Sequence, residues 1–330
     1  MLYHSVKIKN LVLDGNLFLA PVAGYSDRAF RSLCIDGGAS FCYTEMVSAE
    51  ALTRRNEKTK ILMKSAPNES KYAVQIFGGT PDVMYRAACL VLEQSNASCI
   101  DINAGCPVPK IVKSGAGSTL TRDTDRLHDI IKAVVKTTED YKVDIPVTVK
   151  IRSGWDSTSI TYKDAALKAI DAGVNAITLH PRTRAQGYDG KANWDYLKEL
   201  VELVNGQVPV FGSGDIFKSE DALRMLEQTN VDGVMFARGA MGHPFIFRQT
   251  RQLLETGTYE QVSTKERILS GFRELDILIE DLGETFACKD MRKRFCAYSK
   301  GIENGGPLRL EIIKACTKDD YLKIFEPFLK

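Results

Sequence analysis

The sequence predicts a closed (β/α)8, or TIM, barrel followed by a small C-terminal helical-bundle module. Two observations lead there. Over residues 17–236, eight short apolar runs alternate with helical patterns, and the runs are continuous rather than alternating, as in parallel strands covered by helices. After about residue 245 the strand signal ends and only helical patterns remain. A doubly wound open sheet is the alternative arrangement of the same units. With 330 residues the chain is long enough for a barrel and a second module, with the expected boundary between 1–245 and 246–330.

The strands are expected at Leu17–Pro21, Ser40–Glu45, Tyr72–Phe77, Ser98–Asn103, Pro146–Ile151, Asn175–His180, Val208–Gly212 and Val231–Phe236. Helices fit between them with start and stop signals in place. Ser26 precedes Asp27–Ile35, which Gly37-Gly38 stops, and Thr80-Pro81-Asp82 opens a helix running to Gln94 with proline in its first turn. Asp123–Thr138, Tyr162–Ala172, Trp194–Val204 and Ser219–Gln228 follow, the last with Ser219 as N-cap and acids Glu220 and Asp221 in the first turn. Beyond the barrel, Phe247–Thr256, Thr264–Leu282, Ala287–Lys300 and Leu308–Phe325 read as helices.

Composition narrows the function. A hydrophobic content of 44% and a charged content of 26% are ordinary for a soluble globular chain, and a net charge of +2 argues against a general nucleic-acid coat, so any polyanion site must come from local clustering. None of the eight cysteines forms a Cys-x-x-Cys pair and there are only four histidines, so zinc spacing is absent. Several cysteines lie in apolar runs, as buried free thiols do in a reducing cytosol. Residues 1–10 lack the apolar core of a signal peptide, and no run is long enough to span a bilayer. The expected setting is cytoplasmic, with no metal and no membrane; the expected state is a monomer, which the residues themselves leave open.

A barrel carries its chemistry at the C-terminal ends of its strands. Those ends are Pro21-Val22-Ala23-Gly24, Glu45, Gln75, Asn103 with Cys106, Lys150 with Arg152, His180 with Arg182, Ser213-Gly214-Asp215 and Ala237-Arg238-Gly239. Singly, each has a plain explanation: Lys150 as a solvated strand end, His180 as a core histidine, Cys106 as a small buried hydrophobe. Together they describe a rim. The glycine-containing turns after strands seven and eight, with Arg238, suit a phosphate, the usual barrel position for that group. Gln75 offers donor and acceptor to a heterocycle edge, and Lys150 is a fixed cation of the kind that stabilises a reduced flavin ring. No Gly-x-Gly-x-x-Gly follows a strand, which favours a mononucleotide over a dinucleotide. A neutral thiol after the Gly105 bend suits a proton donor.

These residues resemble the tRNA-dihydrouridine synthase family, most closely its bacterial B type. Ala20–Arg31 is similar to its opening motif, Asp101–Pro107 with Lys110 to its signature loop, Val149–Gly154 and His180–Tyr188 to two further blocks, and Met291–Gly301 to its C-terminal part. The resemblance implies an FMN-binding barrel at 1–245 and a helical tRNA-binding domain at 246–330. It implies reduction of the C5–C6 bond of selected tRNA uridines with NADPH as transient electron donor. Residue by residue, it implies FMN contacts at Pro21, Val22, Ala23, Gln75, Lys150, His180, Ser213, Gly214, Asp215, Ala237 and Arg238, with Cys106 as the acid. Ser213 and Ala237 depart from the asparagine and glycine common in the family, and both positions are expected to act through backbone N–H groups.

Hydride delivered to C6 leaves enolate character at C5, which Cys106 would protonate from the opposite face. Asn103 is expected to read the uracil edge, and Lys110, Arg182 and Arg184 to hold flanking phosphates at the mouth. Lys289, Arg292, Lys293, Arg294 and Lys300, with Phe295 and Tyr298 among them, form the expected RNA contact; positions 289, 292, 293 and 300 share a helical face. A solvated charged face is the plain alternative. Two competing functions remain at this point: a small-molecule FMN barrel reductase of dihydroorotate-dehydrogenase type, which needs no basic helical tail, and a non-catalytic RNA-binding module, which needs no thiol, lysine and histidine on one rim.

Overall fold

The computed structural model describes residues 2–303 and 305–330, the side chain of Lys58 excepted. Eight parallel strands close on themselves: β1 (Leu17–Leu19), β2 (Phe41–Tyr43), β3 (Tyr72–Phe77), β4 (Cys99–Ala104), β5 (Val147–Asp156), β6 (Ala176–Thr183), β7 (Val210–Ser213) and β8 (Gly233–Phe236). Each pairs with the next, and β8 pairs with β1 through Val234 opposite Leu17. The outer helices are α1 (Arg28–Asp36), α2 (Ala49–Thr53), α3 (Pro81–Gln94), α4 (Thr124–Asp140), α5 (Tyr162–Asp171), α6 (Asp195–Val204), α7 (Ser219–Thr229) and α8 (Ile246–Thr256). The expected fold class is the observed one, and the open sheet is excluded by closure.

The strand period of two sorts the side chains. One set, including Leu17, Leu19, Val74, Ile100, Ile102, Val149 and Ile177, packs with the helices in the main apolar cluster. The alternate set packs in a second cluster containing Phe18, Phe41, Tyr43, Cys99, Phe211 and Met235. An antiparallel hairpin, Val6–Ile8 with Leu11–Leu13, adds its buried residues to that second cluster, so it plugs one end of the barrel interior. The polar members of the alternate set gather at the other end.

Four expectations about elements need correction. α8 was read as the start of the helical module, but Ile246 and Phe247 pack in the main barrel cluster, so α8 completes the eighth βα unit. Ser219 is the first residue inside α7 rather than its cap; Lys218 is the cap residue, and the Asp221 carboxylate accepts from the N–H groups of Phe217 and Lys218 at 2.9 and 3.0 Å. The helix expected at Ala287–Lys300 begins earlier. The pattern read as one helix over Leu308–Phe325 is two, because Thr317 caps a new helix in a box with Asp320.

The module after the barrel is α9 (Thr264–Leu282), α10 (Glu284–Tyr298), α11 (Gly305–Ile312) and α12 (Lys318–Leu329). Its core gathers Phe272, Met291, Phe295, Tyr298, Tyr321 and Phe325, and Ala29 of α1 belongs to the same cluster. The barrel and module therefore share apolar packing as well as the ion pair of Arg28 with Asp281 at 2.5 Å. Among the described residues, no helix is long and apolar enough to cross a membrane.

Candidate active site

A pocket of about 500 Å³ opens at the C-terminal ends of the strands. Every residue expected to hold the cofactor lines it: Pro21, Val22, Ala23, Gln75, Lys150, His180, Ser213, Gly214, Asp215, Ala237 and Arg238, together with Asn103 and Cys106. Parity explains the convergence. Gln75, Asn103, Lys150, His180 and Ser213 all fall on the inward phase of their strands, above the plugged layer.

The floor is a chain of buried hydrogen bonds. Thr148 donates to Asp101 Oδ1 at 2.6 Å, Gln75 Nε2 donates to Asp101 Oδ2 at 2.6 Å, and Asn103 Nδ2 donates to Gln75 Oε1 at 2.9 Å. The Asn103 oxygen then accepts from the backbone N–H groups of Gly105 and Cys106 at 3.2 and 3.0 Å. Asn103 was expected to read a uracil edge. Both lone pairs of its oxygen are instead spent on the loop that carries the thiol, and its amide also lies 3.8 Å from Met46 Sδ. Asp101, which the sequence reading left without a role, anchors the chain; burial lifts its carboxyl to about 6 against the hydrogen bonds from Thr148 and Gln75.

Cys106 sits half-buried on the pocket wall. Burial pushes its thiol up, opposed by a backbone hydrogen bond at Val108 and by the nearby Arg152, so the protonated form persists through neutral pH. Gly117 supports it from behind: a Cβ there would lie 2.8 Å from the Cys106 carbonyl oxygen. Arg152, also without an assigned role from sequence, donates to the Gly105 carbonyl at 2.9 Å and to the carbonyls of Thr183 and Gly187 at 2.8 and 2.9 Å. It ties the thiol loop to the loop after β6.

Lys150 makes no hydrogen bond or ion pair with the described residues; the Asp101 carboxylate, already bonded to Gln75 and Thr148, acts on it only through its charge. Burial, reinforced by Arg152, lowers it to about 8. An unpartnered cation lining a pocket is what an anionic ligand completes. His180 is held well below the usual imidazole range by burial and then by Lys150, Arg152, Arg182 and Arg238, so it is neutral. Its Nε2 lies 3.3 Å from Arg182 Nη1, which leaves Nδ1 as the proton-bearing nitrogen.

The turns after β7 and β8 complete the wall. Gly214 has φ of +114°, and a Cβ there would lie 2.8 Å from His180 Cδ2, so only glycine fits. Ser213 donates its hydroxyl to the Met235 carbonyl at 3.1 Å, which directs it toward β8. Arg238 lies over the Tyr188 and Phe217 rings at 4.6 and 5.0 Å, with its guanidinium at the mouth. Tyr188, Met46 and Phe217 are lining residues that sequence reasoning passed over.

Not all the expected substrate contacts are at the mouth. Arg182 is 1% exposed. It pairs with Asp215 at 2.8 Å and donates to the carbonyls of Gly190 and Asp189, so it braces the β6–α6 loop. Asp215 shares its carboxylate among Arg182, the Ala192 N–H at 2.8 Å and Arg238 at 3.5 Å. Lys110 is exposed, and Arg184 lies 4.6 Å over the Trp155 ring, with Arg122 at 4.7 Å over the same ring. In α10, Arg294 is buried and Arg292 donates to the Ala315 carbonyl at 3.0 Å; Lys293 donates to Gly24 but is exposed, as are Lys289 and, beyond the helix, Lys300. The five cations expected to form one RNA contact are therefore dispersed.

The dihydrouridine synthase family model matches residues 18–329, which takes in the barrel strands and the helical module. The chain belongs to the dihydrouridine synthase family. It is 56% identical over 302 residues to a probable tRNA-dihydrouridine synthase of Treponema pallidum, covering 91% of this chain and 89% of that protein. It is 37% identical to tRNA-dihydrouridine synthase B of Vibrio parahaemolyticus, covering 92% of each. Membership makes this dihydrouridine synthase homologue an oxidoreductase and sets aside the non-catalytic reading. The fold alone is also similar to a dihydroorotate dehydrogenase structure from Eimeria tenella, with TM-score 0.56 and 16% identity over 76% of this chain and 83% of that one.

Proposed function

We propose that this protein reduces the C5–C6 bond of uridines in tRNA, with FMN in the barrel mouth, NADPH as transient electron donor and Cys106 as proton donor. The observation that carries the reading is one pocket lined by both a protonated thiol, Cys106, and a lysine without a direct partner among the described residues, Lys150. The residues fit the cofactor: a cavity of about 500 Å³ is within the range of cofactor sites, Lys150 has no direct hydrogen-bond or ion-pair partner among the described residues, and Gly214 lets backbone approach closely at the turn where Arg238, 3.5 Å from Asp215, stands at the mouth. Reduced FMN, when bound, would supply hydride to uracil C6.

The chain supplies the rest. Lys150 would offset negative charge on the reduced ring, neutral His180 would donate from Nδ1, and the turns after β7 and β8 would hold the phosphate. Cys106 would give its proton to C5. Asn103, fixed by Gln75, would keep the thiol loop in place rather than read the base. The target uridine must leave its stack, at a cost of a few kcal/mol. Exposed Lys110 and half-buried Arg184 at the barrel end support flanking phosphate contacts. A second groove, about 780 Å³ and lined by Arg238, Arg267 and Lys300, runs between barrel and module and would continue the RNA path. Arg267 Nε is buried there without a partner.

Mass mapping of dihydrouridine in tRNA from cells lacking the protein tests the reading. At least one uridine should lose its two-hydrogen mass increase, and restoring the chain should return it; an unchanged map would end the proposal.

The Lys150 environment gives a second test. A lysine that titrates near 8 is charged below that pH and neutral above it. FMN affinity, followed by fluorescence quenching, is expected to fall as pH rises through and above about 8, with ligand binding itself pushing the midpoint upward. The fall should be absent in Lys150→Met. Parallel pH profiles for the two proteins would remove Lys150 from the cofactor site.

A further inference from the structure

The segment leaving β1, Pro21-Val22-Ala23, forms one wall of the pocket and ends at Gly24, which has φ of +70°. The Gly24 peptide is gripped from two sides. Its N–H donates to the Glu45 carboxylate from the loop after β2. Its carbonyl accepts from Lys293 Nζ at 2.7 Å, and Lys293 stands on α10, in a different module and 269 residues away along the chain. The next residues are held by the same helix. Arg294 reaches the Tyr25 carbonyl at 3.4 Å and the Asp27 carboxylate, and its guanidinium lies 4.9 Å over the Tyr25 ring. Asp27 in turn caps α1 through the Phe30 N–H at 3.0 Å.

Lys293 is itself aimed. Asp290, one turn earlier on α10, pairs with its ammonium at 2.6 Å, and the ammonium lies 5.7 Å from the Tyr25 ring centre. A Cβ on Gly24 would only touch Nζ in ordinary van der Waals contact at 3.6 Å; what favours glycine there is its φ of +70°.

We propose that Lys293 is a positioning residue for the cofactor wall, so that the helical module forms part of the flavin site as well as an RNA surface. The inference rests on the flavin reading above. Lys293 does not touch the pocket; it acts through the Gly24 carbonyl on the backbone of Pro21–Ala23. The contact is solvent-exposed and its ammonium is shared with Asp290, so its strength is modest, but no second donor to that carbonyl is present among the described residues.

Four full-length proteins test this: wild type, Lys293→Met, Lys293→Arg, and Lys265→Met as a control that removes an exposed lysine elsewhere on the module. Hydrogen exchange of the flavin-free proteins reads the loop, and FMN titration by fluorescence quenching reads the site. Lys293→Met should exchange faster across residues 21–26 and bind FMN about two- to fivefold more weakly. Lys293→Arg should recover most of both, and Lys265→Met should match wild type. Unchanged exchange across 21–26 overturns the clamp. Faster exchange with wild-type FMN affinity overturns the link to the cofactor, as does equal weakening in Lys265→Met, which would reduce the effect to net charge. Weakened tRNA binding with FMN affinity intact makes Lys293 an RNA contact instead. A wild-type protein that binds no FMN removes the flavin reading and this inference with it, while the exchange result still reports on the clamp.

Discussion

Cys106→Ala is expected to slow reoxidation of the reduced protein by tRNA by about 10²- to 10⁴-fold, the usual contribution of a positioned general acid. The argument starts from the environment of the thiol. Burial holds it above the ordinary thiol range, so it carries its proton at neutral pH, and Asn103 fixes the loop through backbone N–H groups rather than through sulfur. Alanine therefore removes the proton and leaves the loop. Reduction by NADPH, which needs no proton at C5, should proceed as in wild type. Stopped-flow absorbance of the flavin separates the two half-reactions. Because the thiol is raised, the wild-type tRNA step should hold steady across neutral pH and fall only above the usual thiol range. Tenfold or less between wild type and Cys106→Ala would assign the proton to another group.

Much of this site was legible because a barrel strand carries two signals at once. Its apolar run places the strand, and the inward polar residues toward its C-terminal end place the chemistry. Gln75, Lys150 and His180 were found that way, and all three line the pocket. Arg182 was misread because that rule stops short of it. The register of β6 shifts between His180 and Thr183, so the period of two does not carry to Arg182, and only its 1% exposure and its partners place it inside. Its counter-charge, Asp215, lies 33 residues away, and nothing local announces that pairing. Asp101 escaped notice for a related reason: an acid inside an apolar strand acquires a role only when Gln75 and Thr148 arrive from neighbouring strands. The division between α11 and α12 was readable in Thr317-x-x-Asp320, a capping signal within a pattern that periodicity alone runs together.

The larger misreading concerns Arg294, and it yields the second large expected effect. Among basic neighbours it resembles an RNA contact. Its spacing says otherwise, since Met291, Arg294, Phe295 and Tyr298 recur at helical intervals and all are buried. The guanidinium is 1% exposed, bound by Glu274, Asp27 and Asp290, the last at 2.8 Å. Glu274 is wholly buried, and among the described residues its only other partner is the Tyr298 hydroxyl at 2.8 Å. Arg294→Met therefore strands a carboxylate between barrel and module, and breaking a buried pair in this way costs about 3–5 kcal/mol. Denaturant unfolding followed by circular dichroism measures the loss.

Two further results identify its source. Burial already holds the Glu274 carboxyl above the ordinary range, with Arg294 opposing the rise. Without Arg294 that carboxyl rises further, so ionised Glu274 penalises the fold above its folded pKa and the penalty is relieved as pH falls through it. The gap between variant and wild type should narrow in acid, and Glu274→Gln added to Arg294→Met should restore part of the loss at neutral pH. Stability within about 1 kcal/mol of wild type, the range of an exposed ion pair, together with weakened tRNA binding, would return Arg294 to the RNA surface and dissolve the proposed lock between the two modules.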